Sequence, residues 1–123
     1  MALKVTGFST AALPYKIVHE SASTATLLSN VTGSSGKIHT MDLDVGQSNT
    51  TSYLKIFLGA AASISSPADI KIRLRTGANG VKRFNMPKGI DFTEFSFYTT
   101  STHGTANAPA VPQATAVHSF TTT

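Results

Sequence analysis

Two antiparallel β-sheets packed face to face, in a β-sandwich of jelly-roll or immunoglobulin-like topology with about seven or eight strands, is the fold class that this sequence predicts. Three observations carry the expectation. Short runs that alternate apolar and polar residues recur along the 123 residues, the period of a strand with one buried face. Glycine, asparagine and proline close those runs at spacings of about ten residues, as the turns of a sandwich require. No window of roughly a dozen residues places its apolar positions on a 3.6-residue stripe, so no amphipathic helix is expected.

The first 14 residues, ending at Leu13-Pro14, have scattered apolar positions without a period and read as an N-terminal arm or an edge strand. Residues 15–123 then form the sandwich domain. Tyr15 to Glu20 is the first alternating run and Ala25 to Ser29 the second. Gly33-Ser34-Ser35-Gly36 is a turn whose two glycines are free to take positive φ. Lys37 to Asp44 follows, and Gly46 to Asn49 breaks it. Thr51 to Leu58 is the strongest strand. Tyr53, Lys55 and Phe57 share one face and Leu54, Ile56 and Leu58 the other, so it should be central.

Gly59 to Pro67 is a loop of small and polar residues. Asp69 to Arg75 alternates cleanly, with Ile70, Ile72 and Leu74 inward and Lys71, Arg73 and Arg75 outward. Thr76 to Gly80 reads as a hairpin connection, because Asn79-Gly80 is the strongest short turn signal in the chain. Val81 to Met86 returns, and Pro87-Lys88-Gly89 stops it. Thr93 to Thr99, with Phe95 and Phe97 on one face, and Thr115 to Thr121 complete the set. One domain is expected at this length.

Composition says what coats the sheets. Charged residues are only 13% of the chain, about half the usual share, while 32 residues are serine or threonine. Threonine suits exposed strand faces because its branched β-carbon favours extended backbone. The net charge of +4 and the pI near 9.6 suit an acidic partner surface. They fall short of a nucleic-acid signature, since no run of four or more Lys/Arg occurs. Without cysteine, disulfides, thiolate metal sites and cysteine nucleophiles are impossible. Met1 to Val5 lacks the apolar core of a signal peptide, and no stretch approaches the roughly 18 apolar residues of a membrane span. A soluble protein made in the cytoplasm is expected.

No motif announces catalysis. A serine hydrolase needs an activating base and an orienting acid, and no Gly-x-Ser-x-Gly elbow exists. His19, His39, His103 and His118 form no pair at metal-ligand spacing. Asp42 and Asp44 lie two apart on one strand and could share a calcium ion, but no glycine-centred calcium loop follows. Phosphate-binding and dinucleotide glycine motifs are absent. The expectation is a protein that is not an enzyme and carries no cofactor.

One cluster stands out. Lys71, Arg73 and Arg75 share the outer face of one strand, and Lys82 and Arg83 lie just past the turn. Half of the ten basic residues therefore fall on one expected hairpin, where like charges repel unless something acidic compensates. A solvated face, or protection of a sheet edge, explains them. So does a docking patch for an acidic protein surface.

From Tyr53 to Phe97 the order of segments carries a resemblance. Tyr53-Leu54-Lys55-Ile56-Phe57 is followed by a small-residue loop to Pro67, then Ile70-Lys71-Ile72 and Gly77-Ala78-Asn79-Gly80. Met86-Pro87-Lys88-Gly89-Ile90-Asp91-Phe92 and Phe95-Ser96-Phe97 come next, then Thr99-Thr100, Gly104-Thr105-Ala106 and a proline. Over roughly residues 38–120 this resembles small virion proteins of tailed bacteriophages, cyanophages among them, of the capsid decoration (cement) or head and tail accessory kind. The resemblance implies a β-sandwich, often a homotrimer, seated on the outside of the virion against the major capsid protein. It transfers no active-site residue. The polar loop Ser101 to Pro112 keeps a second expectation open, a tail or fibre module that recognises a host surface or sugar.

Overall fold

The computed structural model describes residues 3–7, 15–46, 51–59, 72–101 and 116–123. It is all β. The strands are β1 (Leu3–Gly7), β2 (Lys16–Ser23), β3 (Gly36–Asp44), β4 (Ser52–Phe57), β5 (Ile72–Thr76), β6 (Val81–Phe92), β7 (Ser96–Thr100) and β8 (Ala116–Thr122). Five of them form one antiparallel sheet in the order β1-β2-β8-β3-β6, and three form a second in the order β5-β4-β7. The sandwich expected from the sequence is present.

The two inner faces supply one core. Val18, Ile38, Met41, Leu43 and Phe120 come from the larger sheet and meet Leu54, Ile56 and Phe97 of the smaller one, together with Phe95 just before β7. Phe95 stands 4.8 Å from Phe120, edge to face, and 5.5 Å from Phe97. Such offset ring pairs add about 0.5–1.5 kcal/mol each beyond their buried area. β4 lies in the middle of its sheet with Leu54, Ile56 and Phe57 all buried, as its two apolar faces predict.

Four details correct the sequence reading. The run Ala25–Ser29 is not a strand. It makes a single bridge, Leu28 to Phe97, flanked by Thr99 N donating to Thr24 O at 2.9 Å and Val31 N donating to Phe95 O at 2.8 Å. Residues 24–31 thus follow the open side of β7 as an irregular edge. Counting this edge, the smaller sheet reads 24–31, β7, β4, β5 and the larger reads β2, β8, β3, β6 with β1 added outside. That order is a jelly roll, not an immunoglobulin sandwich.

The turn at Thr76–Gly80 forms, with Asn79 at φ 54° and Gly80 N donating to Gly77 O at 3.0 Å. It does not make a hairpin. β5 pairs with β4 and β6 pairs with β3, so the turn carries the chain from one sheet to the other. Pro87 does not stop its strand either, because it falls in the register break between Asn85 and Ile90, where β6 has no paired residue in β3 and a missing donor costs no ladder bond. Of the two glycines in the 33–36 turn, only Gly33 has positive φ, at 68°. Gly36 is demanded by crowding instead, since a β-carbon there would collide with the Thr123 carbonyl.

The N-terminal segment resolves towards its second reading over Leu3–Gly7, which pairs with β2 from Leu3↔Glu20 to Gly7↔Lys16. Residues 8–14, the loop residues 60–71 and the polar loop residues 102–112 lie outside the described residues.

Candidate docking surface

The paired strands β4 and β5 bring basic residues far apart in sequence onto one face of the smaller sheet, with Arg73 and Arg75 exposed along its β5 margin and Lys55 buried beside them. Alternation along β5 sends Ile72 and Leu74 towards the core and leaves Arg73 and Arg75 exposed on the outer side. The register then sets Lys55 beside Arg73 and Tyr53 beside Arg75. β7 continues both rows, with Tyr98 next to Lys55 and Thr100 next to Tyr53. The outer face of the smaller sheet therefore reads Arg73-Lys55-Tyr98 across one row and Arg75-Tyr53-Thr100 across the next.

Lys55 is the unusual member. Its side chain is fully buried, and its ammonium lies 5.8 Å from the centre of the Tyr98 ring with no hydrogen-bond partner among the described residues. Burial, helped by the Arg73 guanidinium, holds its pKa below the usual lysine value. Burial likewise raises the Tyr98 phenol, whose oxygen also has no hydrogen-bond partner among the described residues. Phe57 stacks on Tyr98 at 6.0 Å, and Leu27 packs against both. This second apolar cluster, on the side of the sheet away from the main core, accounts for the burial of β4 on both faces.

The five basic residues singled out by sequence are divided by the fold. Arg73 and Arg75 stand on the smaller sheet, whereas Lys82 and Arg83 stand on β6 of the larger one. Arg83 is neutralised by Asp42 directly across from it, Nε to Oδ1 at 2.6 Å. Lys82 points to the opposite side of β6 and donates from Nζ to the Arg75 carbonyl at 2.9 Å, which ties the two sheets together. Lys71 lies outside the described residues. Lys55 was missed by sequence reading, which treated it as part of an apolar strand. The β4–β5 register was the signal that could have joined it to the arginines, and sequence alone does not provide that register.

Asp42 and Asp44, the two carboxylates that share one face of β3, are engaged separately. Asp42 is held by Arg83, and Asp44 accepts the Gly46 amide at 2.8 Å. The described histidines also separate, and His103 lies outside the described residues. His19 Nδ1 lies 2.8 Å from Ser119 Oγ on the outer face of the larger sheet. Cross-strand register continues this row to Asp42. The serine lies between the histidine and the acid, so the acid does not orient the imidazole as a triad requires. His118 faces inward. Its Nε2 is 2.7 Å from Thr99 Oγ1, which is 2.8 Å from Ser23 Oγ, a buried chain that links both sheets. Burial lowers its pKa to about 4, against a smaller opposing pull from Asp44. At neutral pH this imidazole is uncharged and serves as a hydrogen-bonding strut.

Comparison of the chain with protein-family models, with curated proteins and with solved structures finds no match.

Proposed function

We propose that this chain is a structural docking subunit of a virion, most specifically a capsid decoration (cement) protein that sits on a phage head shell as a homotrimer. The observation that carries the reading is the outer face of the smaller sheet. Arg73 and Arg75 stand exposed in adjacent rows there, beside the buried Lys55, and neither arginine has an ion-pair partner among the described residues. Cations held this close on a rigid sheet repel one another, and a negatively charged partner relieves that repulsion. The motif order from Tyr53 to Phe97 supports a virion origin. The jelly-roll order is compatible with it, since shell and lectin domains both use that architecture, although a fold by itself names no function.

A hydroxyl-coated, charge-poor surface suits close packing between subunits, because burying threonine costs far less than burying lysine or aspartate. Stable docking calls for at least about 1,200 Å² of buried surface, and three symmetric copies reach it with a modest contribution each. The test is co-sedimentation with undecorated phage shells. Arg73→Glu with Arg75→Glu is expected to abolish or strongly weaken association while leaving the circular-dichroism spectrum unchanged. Undiminished association of that variant removes the docking face from the reading.

A further inference from the structure

We propose that β5 is the edge onto which an extended segment of the partner protein, alternating acidic and apolar residues, adds as a further strand. The proposal rests on the docking reading and supplies its mode of contact and the chemistry of the partner. β5 closes one side of the smaller sheet, and among the described residues it pairs only with β4. An edge strand presents a row of main-chain donors and acceptors to whatever lies beside it.

The side chains of β5 state what that strand should carry. Ile72 and Leu74 pack against the core yet remain only half-buried, and Arg73 and Arg75 are exposed on the other face. An incoming strand has the same two-residue period, so its alternate side chains fall about 7 Å apart, at the spacing of the two arginines. Acidic residues at those positions face the guanidinium groups across the new ladder. The intervening apolar residues cover Ile72 and Leu74. At one end Lys82 Nζ, already on the Arg75 carbonyl, adds a further cation in reach of the segment's carboxylates.

Other occupants fit less well. A second copy of β5 would set arginine against arginine. A nucleic-acid strand would satisfy the charges but would neither cover Ile72 and Leu74 nor pair with the main chain, and Tyr98 is buried and offers no open ring for base stacking. The opposite edge of the molecule makes a useful contrast. β6 carries Pro87 and a bulge at Gly89, backbone devices that discourage any strand addition, whereas β5 is guarded by the charges of Arg73 and Arg75, which an acidic segment neutralises.

The experiment uses the full chain labelled with nitrogen-15 and three probes: an eight-residue peptide alternating glutamate and valine, oligoglutamate, and a short oligothymidylate. The expected result is saturable binding of the alternating peptide, with shifts and slowed hydrogen exchange at the amides of residues 72–76. Arg73→Glu with Arg75→Glu is expected to weaken that binding about tenfold or more and to transfer preference to a peptide alternating lysine and valine. Equal binding of oligoglutamate or oligothymidylate, or unchanged exchange along β5, overturns strand addition and leaves the docking face standing. Failure of the docking reading shows itself separately, in shells that retain the charge-reversed variant.

Discussion

His118 and Lys55 are both buried basic side chains, and burial disfavours the cationic form of each. The His118 imidazole titrates near 4 in the fold and near 6.5 when unfolded, so the unfolded chain binds the extra proton between those values. Stability contributed by the neutral ring is therefore complete above pH 6.5 and is lost as pH falls towards 4, by about 3 kcal/mol. Urea unfolding at pH 7, 5.5 and 4 should show the midpoint falling, and His118→Gln should flatten that part of the profile. A wild-type midpoint that holds steady from pH 7 to 4 contradicts the strut. Lys55 has its folded pKa lowered by burial and by the Arg73 guanidinium, so the unfolded chain holds its proton to higher pH and stability rises as pH climbs towards 10.5. Replacing it with methionine keeps the stem and removes the unpartnered ammonium. Lys55→Met is expected to raise the thermal midpoint, and a clear fall in that midpoint would show that the ammonium is paired after all.

Among the elements, β6 and the 24–31 edge depend on local features that sequence reading only partly caught. Gly89 sits at φ 76°, opposite a register shift in β3 between Ile38 and Thr40. A β-carbon there would lie 2.8 Å from Lys37 Cβ and 3.0 Å from His39 Cε1. Gly89→Ala therefore meets both strain and a clash, and about 1–3 kcal/mol of lost stability is expected in denaturant titration. The 24–31 edge hangs on Phe97, which bonds Leu28 through both main-chain groups and packs against Phe120 at 5.0 Å. Phe97→Ala should cost about 3–5 kcal/mol. β1 is different, because the jelly roll is complete without it. Deleting residues 1–14 should leave β2 to β8 folded and lower the melting temperature by about 5 °C, read by circular dichroism. Complete unfolding of that truncation would make β1 part of the core rather than an addition to it.

At the scale of the whole molecule, one 12.9 kDa chain buries a modest share of its surface, and assembly is the natural source of further stability. The proposed trimer predicts sedimentation at three times the chain mass and a melting temperature that rises with protein concentration. A monomer at every concentration argues against self-assembly and leaves docking to the partner alone. How much of this was legible beforehand differs by level. Alternation in Thr51–Leu58 and Asp69–Arg75, with glycine and asparagine between runs, determined by itself that the chain is all β, which residues face inward, and that Arg73 and Arg75 face out. These are local properties, set by a two-residue period and by turn chemistry. Only the tertiary structure decided that the Asn79 turn crosses between sheets, that residues 24–31 edge β7, that Lys55 lies beside Arg73 and that Arg83 is cancelled by Asp42. Those facts depend on which distant strands pair and in what register. Strands whose faces are alike offer many pairings of similar pattern, and only simultaneous closure of the Phe95–Phe97–Phe120 core selects among them.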